Sequence, residues 1–248
     1  HSHFCRVGTT VATPERSLFS ESASQAMMRA QHFIFVAGLY LGLSSAATTC
    51  PPSDFETVSD FDLDAFISKR WWVQQQMEVT YLPKSQNRCV YAEYEKRKPG
   101  LLGYDVTVHN HAEDVALPHR VHDSGKNICA KIVDQTRGKL EVAPCFLPPS
   151  ISAGPYWVVA YSESEGYALI SGGAPKHSAE GGCRTGKRTN GSGLWIFTRQ
   201  QARDQVLVDK VRSLAASIGF DLFVLNDVDQ TQCNEVSAAA SEEPLLLP

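Results

Sequence analysis

Three groups of residues in this chain have types and spacings that could do chemistry: the cysteines, a histidine cluster and one glycine-rich run. Cys5 stands apart, while Cys50, Cys89, Cys129, Cys145, Cys183 and Cys233 make an even set. In a secreted chain such a set forms disulfides, although six cysteines permit fifteen pairings. His109 and His111 alternate along a strand-like run and share a face with Asp105, and two imidazoles placed this way can grip a metal ion. His119 and His122 follow nearby. Histidines beside a loop are more commonly surface groups, so neither a metal nor a cofactor is assigned. Gly181–Lys187, GGCRTGK, nearly spells a phosphate-binding loop. Such a loop must open a helix so that its amides cradle phosphate, whereas here Arg188 and then a strand follow. Asn190-Gly191-Ser192 is a glycosylation sequon in a loop. Paired catalytic carboxylates, a zinc-protease helix and a nucleophile elbow are missing from the sequence, and Glu163 and Glu165 are expected to be solvated at a turn.

The elements that must carry these groups are mostly strands. Gly154–Gly173 holds two aromatic, β-branched runs about the polar Ser162-Glu163-Ser164-Glu165-Gly166, the pattern of a hairpin. A hairpin is not stable alone in water and needs a larger sheet. Further strand patterns span Trp71–Tyr81, Arg88–Lys96, Leu101–His109, Asn127–Gln135, Lys139–Cys145 and Leu194–Arg199; with Tyr156–Tyr161 and Tyr167–Ser171 they make eight. Eight short strands with turn signals between them predict an all-β sandwich or barrel. Beyond Arg199 the period changes: Leu207, Val211, Leu214 and Ile218 form one helical stripe, Gly219 stands where that helix would end, and Phe220–Leu225 is a further short strand. One cysteine pair follows from register. The loop Thr136-Arg137-Gly138 reflects the flanking strands about Arg137 and sets Cys129 opposite Cys145, within disulfide reach.

A formal charge of −4 and 43% hydrophobic residues describe an ordinary globular composition with no nucleic-acid signature, and 248 residues suffice for one sizeable core or two small ones. Residues 1–27 are expected to be an upstream or precursor segment. Over 28–47, Arg29 and His32 precede the apolar Phe33–Leu43 and the small Ser45-Ala46-Ala47, a signal-peptide pattern. The apolar run falls short of the roughly 20 residues of a membrane span. Secretion, or residence in the endomembrane lumen, is the expectation. Residues 48–233 form the folded domain, and 234–248 is expected to be a disordered tail.

Three segments resemble the lipocalins, and within them the apolipoprotein D and bacterial lipocalin branch: Phe61-Asp62-Leu63-Asp64 with Trp71, the hairpin from Tyr156-Trp157 to Tyr167-Ala168-Leu169, and Leu194-Trp195-Ile196-Phe197-Thr198-Arg199. The resemblance spans roughly Cys50 to Cys233. It departs at Lys69, where the family usually has glycine. It implies an eight-stranded antiparallel up-and-down β-barrel with the C-terminal α-helix packed outside. Arg199 would then lie over Trp71 and close the narrow end, a cation–π contact of about 0.5–2 kcal/mol. The branch also implies disulfides Cys50 to Cys183 and Cys89 to Cys233, with Tyr94 and Trp195 as pocket walls. Phe197 joins them by alternation along its strand, and Met77 joins by parity with Trp71, Val73 and Gln75.

The implied function is carriage of a small hydrophobic ligand of the fatty acid, sterol, retinoid, carotenoid or bilin class by a monomer or weak homo-oligomer, its receptor unnamed. Two other readings stand beside it. Lipocalin-like xanthophyll de-epoxidases are enzymes of similar architecture, but their cysteine-rich leading region and acidic helical tail are missing here, so no enzyme is expected. A barrel filled by its own side chains would be a ligand-free interaction protein. Peptide mapping without reduction is expected to recover Cys129 linked to Cys145; a free thiol at Cys129 contradicts the register.

Overall fold

The computed structural model describes residues 49–98 and 100–233. Cys5, the upstream and signal-peptide segments and the tail after Cys233 lie outside the described residues. A short helix, α1 (Leu63–Ile67), leads into β1 (Trp71–Met77), β2 (Arg88–Lys96) and β3 (Val106–Glu113). A three-residue strand β4 (Val121–Asp123) precedes β5 (Ile128–Asp134) and β6 (Lys139–Pro144). The single-turn helix α2 (Pro149–Ser152) is followed by β7 (Gly154–Ser162) and β8 (Tyr167–Ser171). After the ribbon β9 (His177–Ala179) and β10 (Gly182–Arg184) come β11 (Leu194–Thr198), the helix α3 (Gln205–Ser217) and β12 (Leu225–Asp227).

Antiparallel neighbours run in the order β11-β8-β7-β6-β5-β3-β2-β1, and β11 pairs again with β1, so eight strands close into a barrel. β4 lies along β3 and β12 along β1. Alternation splits the apolar residues into two cores. Trp71, Val73, Val90, Ala92, Val106, Val108, Ala168, Ile170 and Phe197 point inward. Tyr167, Leu169, Leu194 and Ile196 point outward and meet Val211 and Ala215 of α3. α3 begins where the Asp204 side chain accepts the N–H of Leu207 at 3.1 Å, and ends before Gly219, whose φ of +90° suits a residue without Cβ. Among the described residues no helix is long and apolar enough to cross a membrane.

Three disulfides brace the barrel: Cys50–Cys183, Cys89–Cys233 and Cys129–Cys145. The last links the expected residues through a different register. A bulge between Ile132 and Asp134 sets Cys129 opposite Ala143, and Cys145 lies diagonally across, 4.9 Å away at Cα. Two sequence expectations shift. The third strand starts at Val106 rather than Leu101, because Gly100–Gly103 closes a turn that leaves Leu101 fully exposed. Phe220–Leu225 is mostly not strand: Leu222–Val224 forms a 3-10 turn capped by Asp221, and only Leu225–Asp227 pairs with β1.

One end is sealed by Arg199. Its guanidinium carbon lies 3.5 Å from the Trp71 ring centroid. Its nitrogens donate to the carbonyls of Ala65 (2.8 Å), Phe66 (3.1 Å), Lys69 (2.6 Å) and Arg70 (3.3 Å), and to the Glu163 carboxylate at 2.7 Å. Lys69 thus contributes to this end a backbone carbonyl, which any residue could supply. Glu163 is not merely solvated, and Glu165 pairs with Lys210 of α3. Exchange of Arg199 for methionine would strand Glu163 and four carbonyls. A loss of roughly 2–4 kcal/mol in urea unfolding is expected; a loss under about 0.5 kcal/mol would mean that Arg199 does not hold this end.

Candidate functional site

Side-chain size along the interior positions decides where the barrel is hollow. Toward the Arg199 end stand Phe61, Phe66, Trp71 and Tyr161, with ring centroids 5.2 to 6.1 Å apart in successive contacts. The Trp71 indole donates to the Phe66 carbonyl at 2.8 Å and locks this plug. Toward the other end the inward positions of β2 and β3 are Val90, Ala92, Asn110 and Ala112, and above the plug lies a cavity of about 430 Å³. Trp195, Phe197, Tyr156, Val73, Ile128 and Gln76 complete its walls.

Trp195 and Phe197 both line the cavity, and the Trp195 ring stacks on Tyr156 with centroids 6.4 Å apart. Gly193 permits this: a Cβ there would come within 2.0 Å of the Trp195 ring. Tyr94 sits one layer back. Its hydroxyl meets that of Tyr156 at 2.6 Å, and burial pushes both hydroxyls above the ordinary tyrosine range, so the pair stays protonated. Tyr156 was open to the same alternation rule that singled out Trp195.

Met77 does not face the cavity. The β1 ladder shifts register between Val73 and Gln75, which flips the parity beyond it. Gln76 therefore takes the inward place, Met77 is buried in the core shared with α3, and Gln75 turns outward to Asp227 and Arg212. Gln76 donates its amide N–H to Asn87 at 2.8 Å, and among the described residues its amide oxygen has no partner.

The mouth is framed by the loops after β1, β3 and β6 and by Gly186–Ser192, which carries the exposed Asn190. The Asn190 amide donates to the Ser152 carbonyl at 3.4 Å, so the sequon stands on the rim. β4 borders the cavity through His122 and Asp123 and is fastened to β3 by histidines. His109 Nδ1 faces Glu93 at 3.0 Å and Nε2 faces Asp123 at 2.8 Å; only the doubly protonated ring donates to both. His111 approaches Asp123 at 3.3 Å and stacks on Tyr91, on whose other contacts lies the Arg70 guanidinium, 3.9 Å from the ring centroid. His122 hydrogen-bonds Asp114 at 2.7 Å, and His119 the Asp114 carbonyl at 2.9 Å. Asp105, expected to share the histidines' site, instead accepts the N–H of Ile132 at 2.8 Å. Among the described residues no group of three or more histidines, cysteines and carboxylates is arranged to hold a metal ion.

Burial opposes charge on His109, but the hydrogen bonds to Asp123 and Glu93 outweigh it and raise its pKa. Burial would likewise raise Asp123 and Glu93. Hydrogen bonds from His109, aided by the Gly125 N–H for Asp123 and by Arg70 for Glu93, bring both below the ordinary carboxylate range.

GGCRTGK is not a phosphate loop: Gly182–Arg184 is strand β10, Cys183 is in a disulfide, and Gly186 hydrogen-bonds Gly191 across a tight turn.

No protein-family model and no curated protein matches this chain. Solved structures similar to it include insecticyanin from the tobacco hornworm Manduca sexta, at 17% identity over 73% of this chain and 86% of that one, with a TM-score of 0.46. The cockroach allergen Per a 4 matches at 13% identity over 73% and 95%, with a TM-score of 0.48. Lobster apocrustacyanin A1 matches at 13% identity over 71% and 92%, with a TM-score of 0.44. The fold itself rests on the closed strand order of this chain.

The His109 latch has a calculable pH dependence. A raised histidine contributes stability fully below its ordinary pKa of about 6.5 and loses it as pH rises through the folded value; lowered carboxylates contribute above about pH 4 and lose it as pH falls. The latch is complete between these limits. In thermal unfolding, His109→Gln is expected to trail the parent most near about pH 5.5 and much less near about pH 8.5; an equal deficit at both would contradict the ion pairing.

Proposed function

We propose that this chain is a secreted lipocalin of the apolipoprotein D-like branch, carrying a small hydrophobic ligand in its barrel. The observation that carries the reading is the cavity of about 430 Å³ walled by Trp195, Phe197 and Tyr156 above a sealed floor. Ligand pockets are usually about 300–1,000 Å³, apolar, with a few polar groups. The same reading takes support from Arg199 over Trp71 and from the pairings Cys50–Cys183 and Cys89–Cys233, which that branch's resemblance implied.

Three disulfides suit an oxidising compartment and support export through the segment 28–47. An exposed Asn190 suits a glycan.

Burying about 400 Å² of ligand surface yields roughly 10 kcal/mol gross at 25 cal/mol/Å². Lost translational and rotational freedom costs at least about 4 kcal/mol. The remaining 6 or so correspond to tens of micromolar, and stacking on Trp195 adds about 0.5–1.5 kcal/mol. Fatty acids, sterols, retinoids, carotenoids and bilins are the candidate ligands.

Titration with one of these classes is expected to quench tryptophan fluorescence, and Trp195→Phe to remove most of the quench. Ala112→Phe, which fills the hollow, is expected to weaken binding at least about tenfold. Mass spectrometry of an organic extract would name the natural cargo. An absence of quenching with every class, or unchanged binding by Ala112→Phe, would defeat the carrier reading.

A further inference from the structure

We propose that the open end of the barrel docks on an anionic lipid surface, with the cavity mouth facing the bilayer. Large apolar side chains that are exposed are normal when scattered singly, but not when gathered in one zone. Here they gather. Among the described residues, seven of the eleven exposed large hydrophobics stand in the loops around the mouth. Leu117 is 82% exposed, Phe146 73% and Ile151 81%, with Tyr81, Val115 and Val121 between them.

The loops that present them form one connected ring. The Val115 N–H donates to Ser85 at 2.7 Å, that of Cys145 to Asn127 at 2.8 Å and that of Thr80 to Lys187 at 2.9 Å, while Asn190 reaches Ser152. The disulfide Cys129–Cys145 anchors the loop carrying Phe146 and Ile151. The loops that carry these groups are thus tied to one another around the mouth.

Charge complementarity selects the occupant. Lys84, Arg120, Lys187 and Arg188 are exposed on the same ring, and among the described residues none pairs with a carboxylate. The ring's carboxylates are mostly engaged at home: Asp114 by His122, and Asp123 by His109 and His111. Glu78 accepts the Lys84 N–H at 3.3 Å. The chain as a whole carries −4, so unpaired cations at one end run against its average. Apolar side chains interspersed with free cations fit an interface with an apolar interior and anionic headgroups. A second copy of this end would instead set cation against cation. The inference concerns the rim alone and stands whether or not the cavity is loaded.

The test uses the full chain, made in a host that adds no glycan at Asn190 and stripped of lipid. Vesicles of phosphatidylcholine with about 30% phosphatidylserine are compared with phosphatidylcholine alone, each also prepared with brominated acyl chains that quench nearby tryptophan. Phe146→Trp is expected to gain a fluorescence component quenched by brominated anionic vesicles. Val206→Trp, equally exposed but at the start of α3 beside the sealed end, is expected to gain none. Each free cation near such a surface is worth about a fivefold factor, so Lys187→Glu with Arg188→Glu is expected to reduce that quenching component more than tenfold, and added salt to weaken it. Equal quenching at both tryptophans, none at Phe146→Trp, or indifference to charge reversal would overturn the proposal. So would self-association in buffer that Leu117→Ser with Ile151→Ser abolishes, since the rim would then be a homotypic interface.

Discussion

One guanidinium sets the conditions for everything else in this molecule. Arg199 lies on Trp71, caps the last carbonyls of α1 and neutralises Glu163, so that β1, β11, the β7–β8 turn and the plug helix meet at a single charge. A cation taken from water is tolerated only when its donors are satisfied and its charge is paired. That requirement makes the sealed end rigid: its acceptors come from α1, from the Lys69–Arg70 link to β1 and from Glu163 of the β7–β8 turn, and none can move without leaving a donor unpaired.

Once one end is sealed, hollowness becomes a matter of residue size. Rings crowd the interior beside Arg199, while valine and alanine face inward on β2 and β3 near the mouth. Interiors pack close to crystalline density wherever they can. A run of small residues facing a wall of Trp195, Tyr156 and Phe197 cannot reach that density, and the unfilled volume is the cavity. The outer core is separate. Leu169, Ile196, Val211 and Ala215 fasten α3 to β8 and β11 without drawing on the interior, so the wall around the cavity is supported from outside.

The mouth is governed by different physics. Its loops are joined by hydrogen bonds between neighbouring loops and by one disulfide, and β4 is clamped by a histidine whose two nitrogens face two carboxylates. Such contacts depend on protonation and on salt, unlike the aromatic floor. A stiff, dry end and a charged, responsive end thus share one barrel.

Alternation and turn chemistry in the amino-acid sequence were enough to determine the strand count, the helical stripe of α3 and the common face of Trp195, Phe197 and Arg199, because those depend on local periodicity. They also named the Cys129–Cys145 pair, through a register that the structure shifts. That the shared face of β11 looks inward came from the family resemblance. The family resemblance added the contact between Arg199 and Trp71, which joins residues too far apart for any local rule. What only the tertiary structure decided were the exceptions to periodicity. The bulge at Val73–Gln75 reverses the facing of Met77, and the one in β5 displaces the register about Arg137, since a single unpaired residue inverts every side chain beyond it. Tyr94 was placed on the correct face but one layer behind Tyr156, a distinction of depth that parity does not carry. The gathering of Leu117, Phe146 and Ile151 around one mouth was likewise invisible in a linear chain. Leu117 stands on the loop after β3 and the other two on the loop after β6, which become neighbours only when β3, β5 and β6 pair side by side.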